Sequence, residues 1–220
     1  MSIIHRTTLT PTKMELLSTW LPTRPWYLGT AGAAEPVKVG GFRLDDPDGE
    51  VGIEFMVVTD GAVTYHAPLT YRSSPLDGAD DALVGTTEHG VLGKRWVYDG
   101  TRDPVLVGQL VALIQGGAVP QAQSENDAPD PTVQVHAVAA ASLVPAGFTA
   151  SEGPDGTILR IGAGRGGELA VTVSRVLRDD AARDDAAREQ DGDGFVTAPW
   201  RRPDGSAARS VFATATLHRG

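Results

Sequence analysis

The chain has 220 residues, 41% of them hydrophobic, no cysteine, and a formal net charge of −9 with a sequence pI near 4.9. Such a chain can bury a core as one large domain or two small ones. Disulfides, thiolate nucleophiles and Cys-ligated metals are excluded, and the acidic balance argues against a nucleic-acid or anionic-membrane partner, which would need a basic face. Arg far outnumbers Lys, which occurs only at 13, 38 and 94, and Ala, Gly and Val are abundant. That bias fits a high-GC genome, so arginine count alone does not signal anion binding. The start, "MSIIHRTTLTPTK", has no apolar stretch of the signal-peptide kind. The longest strongly apolar run, "VLVGQLVALI", has ten residues, against about 20 for a membrane span. A cytoplasmic location is the default expectation.

Residues 11–21 predict a helix. Either Thr10 caps it with Pro11 in the first helical position, or Thr12 and Glu15 form a capping box. Met14, Leu17 and Leu21 make its apolar stripe, widened by Leu16 and Trp20, and Pro22 ends it. Three strands follow, "KVGGFRL", "VGIEFMVV" and "AVTYHAPLTY", joined by "DPDGE" and by "TDG", whose Asp-Gly supplies the positive φ of a tight hairpin. The third strand alternates, with Val63, Tyr65, Ala67, Leu69 and Tyr71 on one face. Thr64, His66, Pro68 and Thr70 lie on the other, which predicts a sheet with one wet face. Pro68 cannot donate to a ladder and is expected at an edge or bulge.

Residues 104–115 give the clearest helix, capped by Asp103, started by Pro104 and stopped by Gly116 and Gly117. Leu106, Leu110, Leu113 and Ile114, widened by Val107 and Val111, make it apolar nearly all round, as for a helix buried on most sides. Residues 117–131 read as a linker, polar and rich in Pro and Gly. From 132 onward the chain reads as hairpins: "TVQVHAVAA", "TILRIG", "ELAVTVSRVL", "GFVTAPWRR" and "ARSVFATATL", with "RPDGS" a strong turn. The repeat "RDDAARDDAARE" has i,i+4 Asp–Arg spacing but no apolar stripe, and reads as a solvated insertion in a hairpin.

Several motifs resolve to structure. "GAGRGG" matches G-x-G-x-x-G at Gly162, Gly164 and Gly167, yet an alternating, Val-rich segment follows where a dinucleotide fold needs a helix, so a hairpin turn is the better reading. "EQDGDG" fails as a calcium loop, because Trp200 falls where a bidentate Glu is required. None of His5, His66, His89, His136 and His218 pairs at a metal-ligand spacing, and no G-x-S-x-G is present. The one constellation with chemical variety is Glu88, His89, Lys94, Arg95, Trp96, Tyr98 and Asp99. Rings that stack on a pyranose and carboxylates that take hydroxyls would suit a sugar. The competing reading is a packed loop with its charges in solvent.

Residues "LLSTWLPTRPWYLG", "VVTDGAVTYHAPLTYR", "ALVGTTEHG" and "VYDGTRDPVLVGQLVALI", in that order and spacing, resemble the N-terminal cap domain of bacterial maltokinases and related trehalose-linked kinases. The family's W-L-P maps to Trp20, Leu21 and Pro22, and its W-[FY]-x-G to Trp26 through Gly29. Its strand ending near Y-x-[VL]-P-L maps to Tyr65 through Leu69, and its D-x-x-[DG]-P helix motif to Asp99 through Ile114. Arg24-Pro25 and Thr30 depart from the family's Gln-Arg and its later basic residue. The kinase's H-x-D-x-x-x-x-N is missing, since no His here has Asp two residues on.

The resemblance implies an α+β fold: a curved antiparallel sheet packed on helices over 1–116, a linker over 117–131, and a second antiparallel β-rich unit over 132–220. Trp20, Trp26 and Tyr27 would wedge the first helix against the sheet. It further implies a non-catalytic protein, with a binding or regulatory role near glycogen, maltose or trehalose metabolism. The partner would be a protein or a sugar, and no catalytic residue, cofactor or metal is assigned. Two alternatives stay open. One is a carbohydrate-active enzyme or sugar-binding module using residues 88–99. The other is a structural protein–protein interaction module with an exposed apolar patch.

Overall fold

A computed structural model describes residues 9–30, 34–123, 128–137, 147–154, 156–162, 167–179 and 194–218. The strands among them are β1 (Leu9–Thr10), β2 (Val37–Leu44), β3 (Gly52–Asp60), β4 (Val63–Arg72), β5 (Leu83–His89), β6 (Gly93–Asp99) and β7 (Gln134–His136). They continue with β8 (Phe148–Glu152), β9 (Gly156–Gly162), β10 (Glu168–Ser174), β11 (Val176–Leu177), β12 (Gly194–Arg201) and β13 (Ala207–His218). The α-helices are α1 (Lys13–Trp20) and α2 (Pro104–Ile114), of 8 and 11 residues.

This is a β-rich fold, which corrects the expected α+β arrangement of a sheet packed on helices. The strands form one antiparallel sheet in the order β1-β5-β6-β4-β3-β2-β12-β13-β10-β9-β8, with β11 joined to β4 and β7 to β12. The physical reason is coverage. Two short helices cannot hide the faces of so many strands, so the second half of the sheet covers the first. Phe42, Ile53, Phe55 and Val57 share one core with α2 and with Leu159, Val171, Val196 and Phe212. The helix α2 lies inside that core, with Leu106, Val107, Leu110, Val111, Leu113 and Ile114 all buried, as its apolar circumference requires. Asp103 caps it, accepting from Val105 N at 2.9 Å, while Arg72 grips the same carboxylate at 2.6 and 2.7 Å.

The other face of β3 and β4 carries Met56, Val58, Tyr65, Ala67 and Leu69, which meet Leu16, Leu17, Trp20, Leu21 and Trp26. Thr12 and Glu15 form the capping box that starts α1. Trp20 and Trp26 meet edge to face at 5.7 Å, and Trp26 and Tyr27 lie 6.0 and 5.4 Å from the Tyr65 ring. The aromatic wedge expected from the sequence is therefore present. Lys13, Lys38, Tyr71 and Gln123 converge on buried Glu54 below it.

The expected wet face of β4 does not exist. Thr64, His66, Pro68 and Thr70 are all buried, because α2 and the C-terminal strands cover that side. Nor does Pro68 lie at a sheet edge. The strand β4 is interior, flanked by β3 along its whole length, and its far side is shared. There β6 pairs with Leu69–Arg72, and β11 with Thr64 and Tyr65. His66 N donates to Arg175 O on that side, so the alternation of a strand would aim the next N–H but one, that of residue 68, toward the same side. Proline removes it at a position with which neither β6 nor β11 is in register.

One glycine lets the halves join: at Gly40, opposite Trp200, a Cβ would sit 2.9 Å from the Trp200 Cβ. Its neighbour Gly41, with φ +123°, serves the β2–β3 pairing instead, since a Cβ there would sit 2.0 Å from Phe55 O. Gln121 bridges to Arg43 and Pro129, so part of the 117–131 stretch lies against β2. The sequence "ELAVTVSRVL" is broken at Arg175 into β10 and β11. After Gly162 and Gly167 comes strand β10, not a helix. The 178–189 repeat and "EQDGDG" fall almost wholly outside the described residues, as does His5.

Candidate functional site

The constellation from Glu88 to Asp99 lies on the β5–β6 hairpin. Cross-strand pairs Glu88↔Lys94 and Thr86↔Trp96 put Glu88, Lys94 and Trp96 on one face, with Lys94 Nζ 4.9 Å from the Trp96 ring centroid. Tyr98 continues this face but is buried against Ala79 and Ala82, its hydroxyl accepting from Leu76 N at 2.9 Å. Arg95 and Asp99 alternate to the opposite face. His89 closes the hairpin end: its Nδ1 accepts from Val91 N at 3.2 Å and Leu92 N at 3.0 Å. An acceptor Nδ1 carries no proton, so the neutral ring holds its hydrogen on Nε2. Val91 and Leu92 at this tip are 63% and 44% exposed. The hairpin thus brings together Glu88, Lys94 and Trp96, presents His89 at the tip, and separates Asp99 from all of them.

Asp99 belongs to a different site, one with no signature in the order of residues. Its two oxygens take Arg175 Nη2 at 2.7 and 2.6 Å, and one also takes Thr101 N and Oγ1 at 3.1 and 2.8 Å. Arg175 is fully buried. Its Nε donates to Thr157 Oγ1 at 2.8 Å and its guanidinium lies 5.1 Å from the Trp26 ring. Glu152 Oε2 accepts from Trp26 Nε1 at 3.0 Å and from Thr157 Oγ1 at 3.1 Å. The network crosses from β6 and the Trp26 turn to β8, β9 and the β10–β11 break. No local pattern announces it, because its members are 126 and 76 residues apart in the two crossing bonds.

The electrostatics follow from burial. Burial alone would raise the Asp99 carboxyl, but the Arg175 charge and the hydrogen bonds from Arg175 and Thr101 hold it below the usual carboxylate range. His66 lies beside this network, its Nδ1 2.9 Å from Ser174 O and its ring between Phe55 and Phe212. A carbonyl can only accept, so Nδ1 carries the proton. Burial first and the Arg175 charge second push the His66 pKa down to about 3, against smaller opposing effects of Ser174 and Asp99. Glu54 would be raised by burial, yet Lys13 and Lys38, with a hydrogen bond from Tyr71, bring it to about 2. Asp99 and Glu54 therefore stand ionised with their oxygens already taken, an arrangement that holds structure rather than moving protons. Among the described residues no group of three or more His, Asp or Glu could hold a metal ion. No helix among them is long and apolar enough to cross a membrane.

At this end of the chain a short capped helix is wedged by Trp20 and Trp26 against β3 and β4. Residues 20–103 match the family described as the maltokinase N-terminal cap domain. The chain carries a maltokinase N-terminal cap-like domain over this stretch, which runs from Trp20 to the Asp103 cap of α2. No curated protein matches the chain.

Proposed function

We propose that this is a non-catalytic cap-like protein of the cytoplasm, with a binding or regulatory role in glycogen, maltose or trehalose metabolism. The observation that carries the reading is the family match over 20–103. The commitment of the buried carboxylates supports it, because Asp99 and Glu54 are taken by internal partners. A thermal-shift series with maltose, trehalose, their phosphates and ATP is the test, since a ligand at 100 times its Kd stabilises by about 2.7 kcal/mol. Stabilisation by a sugar or sugar phosphate without turnover agrees with the reading. ATP-dependent phosphorylation of maltose would overturn it. A flat response to every small molecule would turn the role toward a protein partner.

A second reading, sugar binding on the β5–β6 hairpin, is favoured by one observation: Glu88, Lys94 and Trp96 share one face of it. It requires that Trp96→Ala abolish a sugar-induced shift while leaving the unliganded Tm within a few degrees.

A further inference from the structure

We propose that the cap-like half is an acceptor surface for a strand-adding β unit, supplied here by the chain's own C-terminal half, and that Arg175 is the residue that selects this partner. Three features of the surface define what fits it. The first is a length of β4 edge that no strand of the cap-like half covers. β6 leaves β4 at Leu69, and the edge beyond it is taken by β11 at Thr64 and Tyr65, with His66 N donating to Arg175 O at 2.9 Å. Strand addition of this kind gives affinity through the main chain and leaves selection to side chains.

The second feature is charge complementarity in both directions. The C-terminal half delivers one cation, Arg175, to Asp99, Thr101 and the Trp26 ring, and one anion, Glu152, to Trp26 Nε1. Arg175 side-chain exposure is 0% and that of Asp99 2%. Neither charge could stay buried without the other. A planar guanidinium bonds Thr157 through Nε while Nη2 holds the carboxylate, which an ammonium cannot imitate.

The third is an apolar bed. Phe42, Phe55 and the His66 ring lie within 6 Å of one another or of Phe212, which is carried by β13. Two residues that the cap motifs single out, Trp26 and Asp99, are both contacted by the C-terminal half. The partner class is therefore an antiparallel β unit with an arginine at the start of a short edge strand.

The experiment uses the full chain carrying a protease recognition sequence inserted between Gln123 and Ala128, where Ala122 N bonds Ala128 O at 2.8 Å and closes the base of the segment. After cleavage, size-exclusion chromatography with light scattering and native mass spectrometry read whether the two fragments stay together. We expect a 1:1 fragment complex at micromolar concentration. Arg175→Met weakens it by roughly 100-fold or more, because Asp99 is left buried and unpaired. Arg175→Lys restores little of this. The double variant Asp99→Asn with Arg175→Met regains at least about tenfold over Arg175→Met alone, since no lone charge remains. Wild-type fragments that separate into folded monomers would overturn the proposal, and so would an Arg175→Met complex as tight as wild type. If Arg175→Met does not fold at all, the double variant decides: recovery of a fragment complex supports selection by the pair, and failure to recover overturns it.

Discussion

Asp99 illustrates how one side chain changes meaning once its surroundings are known. In the chain it stands among Glu88, His89 and Trp96 as a candidate sugar contact. In the fold it is ion-paired with Arg175 on the far side of the hairpin. Asp99→Asn should destabilise the protein by about 3 kcal/mol or more, because it leaves the guanidinium buried without a counter-charge. For a chain of this size that is a fall in Tm of the order of 10 °C, measurable by calorimetry. A catalytic role for Asp99 would instead require lost turnover at unchanged Tm.

His66 and Glu54 set the response to acid. In the unfolded chain His66 takes a proton near its ordinary 6.5, whereas in the fold it stays neutral down to about 3. Between those values the unfolded state binds the extra proton, so stability falls as pH drops, by at most about 1.4 kcal/mol per pH unit. Glu54 adds to the loss from its ordinary 4.5 down to about 2, where the native carboxylate finally protonates. Urea unfolding followed from pH 7 to pH 3.5 should show the decline beginning near 6.5. The variant His66→Gln should remove the decline above pH 4.5 and make it shallower below, where Glu54 still contributes.

At the scale of elements, β4 is the member on which both halves converge. Its odd residues face the α1 tryptophans and its even residues face α2 and Phe212, so a strand that alternates like a surface strand is buried on both sides. Pro68 lies where β6 stops and β11 has not begun. Pro68→Ala would introduce a buried N–H at a position with which neither β6 nor β11 is paired. A surface proline of this kind costs little to replace, but here the new donor is buried. The expected loss is about 1–3 kcal/mol, enlarged by the extra freedom of the unfolded chain. Equilibrium unfolding in urea measures it, and an unchanged midpoint would mean that β6 or β11 shifts to supply a carbonyl.

The largest core cluster joins α2 to side chains of β2, β3, β10, β12 and β13, so both halves contribute to it. Unfolding should accordingly be a single transition. Tryptophan fluorescence, dominated by Trp20, Trp26 and Trp96 of the first half with Trp200 in the second, should coincide with far-UV circular dichroism within error. Two separated transitions would show that the halves unfold independently despite the shared core.

What could be read from the chain alone was local. The capping box at Thr12 and Glu15, the Asp103-Pro104 start of α2, the hairpins and the cap motifs each reside in a few consecutive residues, where backbone preference and side-chain periodicity act directly. The architecture was a different matter, because periodicity reports that a face is apolar and not what lies against it. That α2 is enclosed by strands from both halves, that Thr64 to Thr70 face no water, and that Arg175 meets Asp99 were decided by the closing of the sheet upon itself. The physical reason is that a buried charge pair and a shared core are fixed by contacts between residues far apart in sequence, and their energy exists only once the chain has brought them together.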